Sequence, residues 1–379
     1  MSDPLSRRSL ARLLGAAAGA TLLERAPAAA LAGVSSTTSG AAAGPIRLNA
    51  NENPYGPCKP SLDALAGCGS LASLYPGAIQ EEVRQTIAAQ HGVGPDQIAL
   101  GCGSSDILRM ADSAFLAPGQ KIVAAEPTFE AVLNYAKVTK AEAVKVPQTA
   151  DFRHDLPAMA KACDASTGIA YVCNPNNPTG TIVGGSELSA FIAKVPPTCV
   201  ILVDEAYHHF VEDPSYASAL EVAPGRENVV VARTFSKIYG MAGMRLGYAV
   251  GSPAKIAALE RCASWDNTSQ AALVMALASL ADAEVVPRQR RKLNDTRRWL
   301  CAELAKQGRR YIPSQTNFVM IDVGSDVGPV GHAFAEKGIL VGRKFPSMPN
   351  WLRVSIGTPE QMAQFVAALN AVVPARAAA

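Results

Sequence analysis

Residues 168–180 read Gly168-Ile169-Ala170-Tyr171-Val172-Cys173-Asn174-Pro175-Asn176-Asn177-Pro178-Thr179-Gly180. A continuous apolar run stops at a polar turn. Apolar residues without alternation are what a strand covered on both faces requires, and Asn-Pro-Thr-Gly is turn chemistry. Comparable runs lie on either side, at Lys121–Ala125, Ala143–Val146, Cys199–Val203, Val229–Ala232 and Leu246–Val250. Helical patterns at Ser105–Phe115, Phe129–Val138 and Ser186–Lys194 separate several of them. Strands alternating with helices predict an α/β fold, a mostly parallel sheet flanked by helices. Ligands of such sheets bind at the carboxyl ends of the strands, so the polar residues that follow each run form the candidate site.

Beyond residue 255 the texture changes. A long helix pattern covers Val286–Gln307. Then come a strand at Thr316–Val323, a helix around Val330–Lys337, strands at Gly338–Val341 and Leu352–Ile356, and a helix from Pro359. This is a smaller α+β C-terminal domain at 256–379, after a large domain at 75–255 and an N-terminal arm at 46–74. A chain of 379 residues has room for both domains. Apolar residues make up 49% and charged ones 18%, which places it among ordinary globular proteins. The net charge of +3 is not gathered on one segment of the domains. Its excess sits in the first 32 residues, where Arg7, Arg8, Arg12 and Arg25 outnumber Asp3 and Glu24. The pattern speaks against a nucleic-acid surface and a polybasic membrane patch. The eight cysteines lack C-x-x-C spacing and read as small buried apolar residues, with a Cys58–Cys68 bridge left open.

The N-terminus reads as a targeting segment. Ser6-Arg7-Arg8-Ser9-Leu10 precedes an apolar stretch to Leu23, and Ala30-Leu31-Ala32 follows. This is the order of an export signal, with basic, apolar and cleavage regions. The apolar stretch is too short and too rich in Ala and Gly for a stable membrane span. The adjacent arginines resemble a twin-arginine (Tat) signal. The expectation is an export signal at 1–32, a flexible linker at 33–45, use of the Tat machinery and a periplasmic location, or a cytoplasmic one if the signal is not used.

Four strand ends carry the chemistry. Gly101-Cys102-Gly103-Ser104-Ser105-Asp106 opens a helix, with two serines expected at its N-cap. Asn174–Gly180 follows one strand, Asp204-Glu205-Ala206-Tyr207 another, and Thr234-Phe235-Ser236-Lys237 a third, with Arg245 eight residues further on. Singly, each is a cap, a turn or a surface charge. Together they supply what pyridoxal phosphate needs. Its phosphate takes N–H groups at a helix start, hydroxyls and an arginine. Its ring nitrogen takes a carboxylate, and its aldehyde takes a lysine.

In this order the motifs resemble the fold-type I, class I/II aminotransferases, and most of all the histidinol-phosphate aminotransferase branch. Leu48-Asn49-Ala50-Asn51-Glu52-Asn53-Pro54-Tyr55-Gly56-Pro57, Tyr75-Pro76-Gly77, the Asn174 and Asp204 segments, Thr234 through Gly247, and Leu352-Arg353-Val354-Ser355-Ile356-Gly357-Thr358 carry the resemblance. It spans residue 46 to about 372. It implies an aspartate aminotransferase-like fold with a seven-stranded sheet in the large domain, a homodimer, and a ping-pong transfer of an amino group between an amino acid and a 2-oxo acid. Lys237 would hold the cofactor as a Schiff base and move the α-proton. Asp204 would face the ring nitrogen, and Tyr207 and Asn177 the phenolate oxygen. Ser104, Ser105, Thr234, Ser236 and Arg245 would hold the phosphate, Phe129 would stack on the ring, and Tyr75 would reach the cofactor of the neighbouring subunit. Arg353 would take the substrate carboxylate, with Asn53 and Arg343 as further substrate contacts.

Two readings compete with transamination. One is a decarboxylase or lyase on the same fold; the other is a non-catalytic ligand-binding protein, which the presence of both Lys237 and Asp204 disfavours. His208-His209 is read as structural, because adjacent histidines point different ways and no third metal ligand is evident. The substrate end departs from the histidinol-phosphate pattern. There an arginine four residues beyond the Gly of the Gly-Ile-Leu segment meets the phosphate, a place held here by Gly342, with Arg343 one later. In an extended strand that shift turns the side chain away, unless Gly342 forms a bulge. Phe345-Pro346-Ser347-Met348-Pro349-Asn350 is apolar for a phosphate pocket, and Ser264-Trp265-Asp266-Asn267 places an aromatic where that branch has prolines. The expectation is a free amino acid, aromatic or otherwise bulky.

Overall fold

The computed structural model of the protein describes residues 44–223 and 225–374. The expected export signal and nearly all of the expected linker lie outside the described residues. After a short strand β1 (Ile46–Leu48) come β2 (Ile98–Gly101), β3 (Lys121–Glu126), β4 (Glu142–Pro147), β5 (Thr167–Cys173), β6 (Val200–Asp204), β7 (Val229–Thr234) and β8 (Gly247–Gly251). The last seven make one sheet in the order β2-β8-β7-β6-β5-β3-β4. Strand β8 runs antiparallel to both neighbours; the other pairs are parallel. Every residue of β5, β6 and β7 is buried. Alternate residues enter opposite cores: Tyr171, Leu202 and Val230 on one face, Val172, Ile201 and Val231 on the other. That double burial is why the sequence shows runs and not alternation.

The C-terminal lobe holds β9 (Tyr311–Ile312), β10 (Phe318–Asp322), β11 (Ile339–Val341) and β12 (Trp351–Ser355). Strands β12-β10-β9 form an antiparallel sheet. Helices Val285–Lys306, Val327–Glu336 and Pro359–Val372 pack around it. The last opens with a reciprocal Thr358–Gln361 capping box, and Phe334 stacks on Phe365 at 5.3 Å. Strand β1 pairs in parallel with β11, Ile46 opposite Ile339. The N-terminal arm is thereby stitched into the C-terminal lobe, and arm and lobes belong to one compact unit from Pro45 onward.

Several elements differ from the sequence expectation. Strand β2 and helices Gly77–His91 and Gln270–Ala281 were not anticipated. The latter is apolar nearly all round because it packs against the helices Lys59–Gly67 and Gly77–His91. The Ser104–Phe115 helix is capped by Gly103 and not by a serine. Gly103 sits at φ +82°, and a Cβ there would overlap the Arg245 guanidinium. Ser104 and Ser105 thus become the first helical residues. All eight cysteines are free, so Cys58 and Cys68 are not bridged.

Candidate active site

The carboxyl ends of β5, β6 and β7 open on one cavity of about 330 Å³. The arm supplies Ala50, Asn51 and Glu52, the helix start Ser104 and Ser105, and the turn after β3 Thr128, Phe129 and Glu130. The strand ends add Asn177, Asp204, Tyr207, Thr234, Ser236, Lys237 and Arg245, and the C-terminal lobe closes the cavity with Arg343, Phe345 and Arg353.

Lys237 extends its Nζ to the Asn51 carbonyl, 3.2 Å away, with the Tyr207 ring 5.5 Å off. Burial, and after it the Arg353 charge, pushes its pKa down to about 8 against the pull of Glu52. Asp204 is 2% exposed. Its Oδ2 accepts from the Tyr171 hydroxyl at 3.0 Å and its Oδ1 from the Ala206 N–H at 3.1 Å. Burial still pushes its pKa up to about 6, so this carboxylate calls for a cation.

At the helix start Ser104 and Ser105 line the cavity beside Arg245, whose Nη1 donates to Ser236 Oγ at 3.2 Å. Thr234 Oγ1 accepts from the Ser236 N–H at 3.0 Å. Hydroxyls, a guanidinium and the start of a helix of twelve residues border the same part of the cavity, a setting suited to an anion.

Tyr207 accepts from Asn51 Nδ2 at 3.1 Å. Burial raises its pKa above the ordinary phenol value. Asn51, at φ +53°, is tied to the C-terminal lobe through Ser355 Oγ, at 2.8 Å from its N–H. Arg353 lies buried and meets only neutral acceptors: Asn177 Oδ1 at 2.7 Å and the Asn49 carbonyl at 3.1 Å. Among the described residues its Nε has no hydrogen-bond partner.

Most of the expected site residues therefore share one cavity, with exceptions. Asn53 does not border it. Its amide donates to the Ile238 carbonyl at 3.1 Å and accepts from the Tyr55 N–H at 3.0 Å, so it braces the lysine loop and is corrected as a substrate contact. Asn51, two residues earlier in the same motif, borders the cavity instead. Tyr75 is 84% exposed and lies off the cavity, as does Trp265, 96% exposed. Arg343 was expected to turn away by strand alternation. Strand β11 ends at Val341, so alternation no longer applies, and Arg343 reaches the rim. Gly342 donates to the Arg353 carbonyl at 2.8 Å, and a Cβ there would lie 2.6 Å from that oxygen, which is why only glycine fits. At the rim Arg343 Nη2 pairs with Glu130 Oε2 at 2.6 Å. Glu130, Tyr171 and Phe345 received no role from the sequence. His208 and His209 lie with ring centroids 3.7 Å apart, and burial lowers both pKa values. Among the described residues no cluster of His, Cys, Asp and Glu could hold a metal.

A family model described as aminotransferase class I and II matches residues 43–369. The chain is 39% identical over 331 residues to a histidinol-phosphate aminotransferase of Moorella thermoacetica, covering 86% of this chain and 85% of that one. It is 35% identical over 328 residues to an aromatic amino acid aminotransferase of Cutibacterium acnes, covering 86% and 92%. The solved histidinol-phosphate aminotransferase of Sinorhizobium meliloti, in complex with pyridoxal-5'-phosphate, superposes with a TM-score of 0.82 at 26% identity, over 88% of this chain and 92% of that one.

Proposed function

Because the chain belongs to the class I and II aminotransferase family, we propose that Lys237, Asp204 and Arg353 are the working residues of its transamination site. The protein is a pyridoxal-phosphate-dependent aminotransferase, moving an amino group between an amino acid and a 2-oxo acid. The observation that carries the roles is a half-buried lysine three residues beyond the end of β7 and a buried aspartate at the end of the adjoining β6, facing one cavity.

The residues fit the cofactor. Ser104, Ser105, Thr234, Ser236 and Arg245 form a donor set for a phosphate. Asp204 lacks the cation its burial demands, which a protonated ring nitrogen would supply. Arg353 holds an unpartnered Nε and no carboxylate, as a receptor for the substrate carboxylate would. When bound, pyridoxal phosphate supplies the carbonyl that receives the amino group and the ring that takes up the electrons released at the substrate Cα. Asp204 would hold the positive charge on the ring nitrogen in place. Lys237 moves the proton at the substrate Cα; burial brings its pKa toward working pH, where a general base is most effective. Arg353 fixes the substrate carboxylate in a planar fork, oriented by Asn177. Tyr207, steadied by Asn51, would donate its hydroxyl to the cofactor's phenolate oxygen, and Phe129, which lines the same cavity, would pack on its ring.

The substrate in this reading is a free amino acid with an aromatic or otherwise bulky apolar side chain. Its support is the rim, where Glu130 already engages Arg343 and Phe345 adds an apolar wall. The similarity to an aromatic amino acid aminotransferase agrees with it. The test compares kcat/KM for histidinol phosphate with that for a panel of free amino acids, with 2-oxoglutarate and pyruvate as acceptors. A preference for histidinol phosphate of about a hundredfold, roughly 3 kcal/mol of transition-state binding, would overturn it.

The same reading includes a homodimer. Leu74, Tyr75 and Trp265 are exposed large apolar residues, and Gln270, five residues beyond Trp265, donates to the Tyr75 carbonyl at 3.0 Å. Sedimentation of a fully active monomer would remove this part. Export through residues 1–32 rests on the sequence alone; a Lys-Lys replacement of Arg7 and Arg8 should keep the folded protein in the cytoplasm.

A further inference from the structure

Glu130 stands directly after Phe129 and just before the helix Ala131–Ala136 of the large lobe. Arg343 follows β11 in the C-terminal lobe. Their ion pair, 2.6 Å long, crosses the cavity mouth from one lobe to the other. Both side chains are about half exposed, 54% for Arg343 and 44% for Glu130, so the pair adds little to stability. Its effect is on the charge that a bound side chain meets. The Arg343 guanidinium also lies 4.4 Å from the Phe345 ring centroid, a stacking contact that holds it at the rim independently of Glu130. Glu130 borders a second cavity of about 240 Å³ as well, walled on its other side by Pro346 and Ser347. It therefore borders both cavities.

We infer that Glu130 is a specificity-determining residue that masks Arg343, so that the site receives neutral side chains and refuses anionic ones. Arg343 is the cation that a phosphate or distal carboxylate would seek once Arg353 holds the α-carboxylate. With Glu130 in place, an anionic side chain must displace one carboxylate and lie beside it, and like charges that close repel. A neutral side chain leaves the pair intact and packs against Phe345. The inference rests on the proposed substrate class and names the residue that produces it.

The test uses the holoenzyme and two unreactive acids, glutarate for an anionic distal end and 3-phenylpropionate for a neutral one. Calorimetry on Glu130→Gln should show glutarate binding tightened about tenfold, roughly 1.4 kcal/mol, with 3-phenylpropionate nearly unmoved. The gain should vanish in the Glu130→Gln, Arg343→Gln double variant, and Glu130→Asp should restore the refusal of glutarate. In turnover, KM for glutamate should fall with little change in kcat. Equal shifts for both acids, a gain that persists without Arg343, or no glutarate binding by Glu130→Gln would each overturn the inference. The proposed function fails separately: if no free amino acid is a donor while glutarate affinity still follows the charge at residue 130, the substrate reading falls and the mask stands.

Discussion

The strand-end cradle and the rim around Arg343 face the same cavity but are built differently. The cradle sits on β5, β6 and β7, buried throughout, and its polar groups are held by neighbours: Asp204 by Tyr171 and Ala206, Ser236 by Thr234. The rim, residues 342–350, has no strand or helix. It is held by an isolated bridge between Phe345 and Met348, by their burial against Ile312 and Met320, and by two half-exposed ion pairs, Arg343–Glu130 and Lys344–Asp326. Chemistry that tolerates little displacement lies on the rigid region. Selectivity lies on a segment that can change without disturbing the sheet. Substitutions in the two regions should therefore fail in different ways.

The largest effect belongs to the cradle. Lys237→Ala should lower kcat by about 10⁴-fold or more, since base and attachment point are lost together, and should abolish the visible absorbance of the loaded enzyme. Residual turnover at the parent rate would mean that another group does this work. Asp204→Asn should retain cofactor yet lose about 10²- to 10³-fold in kcat, the scale of a removed buried electrostatic contact. Equilibrium dialysis separates the two variants, because only the rate should fall.

Arg353 belongs to both regions. It lies on β12, reaches Asn177 of the cradle, and its carbonyl accepts from Gly342 of the rim. Arg353→Lys keeps the charge and loses the fork. It should raise KM for every α-amino acid by about tenfold to a hundredfold, whatever the side chain. A loss confined to one side-chain class would assign Arg353 to the rim, and the division between carboxylate and side-chain recognition would collapse.

The cradle was legible in the sequence because its motifs are local. A β-branched run followed by Asn-Pro-Asn-Asn-Pro or Asp-Glu-Ala-Tyr marks a strand end, whatever surrounds it. The rim was not legible. Alternation predicts where Arg343 points only while the strand continues, and β11 stops at Val341. Where the strand stops depends on Gly342 meeting the Arg353 backbone, a contact eleven residues along the chain. The exchange of Asn53 for Asn51 has the same cause. Both asparagines sit in one motif, and only the lobe that Ser355 belongs to decides which of them faces the cavity. The pairing of β1 with β11 joins residues almost three hundred positions apart, and no local pattern announces it.

The smallest effect tests whether the cradle is as well satisfied as it looks. Asp112, in the helix that Ser104 begins, is 1% exposed, and among the described residues neither carboxylate oxygen has a hydrogen-bond partner. It does not border the cavity. Burial pushes its pKa up to about 8 from the ordinary 3.8. Below the ordinary value the carboxyl is protonated in the folded and unfolded chain alike. As pH rises toward 8 the unfolded chain releases the proton while the folded one keeps it, so ionisation favours unfolding and stability falls across this window. Above 8 both states are ionised and the loss levels off. Asp112→Asn is neutral at every pH, although its amide is equally short of partners. Its urea unfolding should lose this descending slope, and at pH 8 it should be more stable than the parent by about 1–3 kcal/mol. Turnover should stay at the parent level, because the residue touches neither cavity nor rim. A variant whose stability keeps the parent's pH dependence would show that Asp112 is ionised and paired in the native protein. The helix would then be satisfied to its last polar group, and the contrast between cradle and rim would be sharper still.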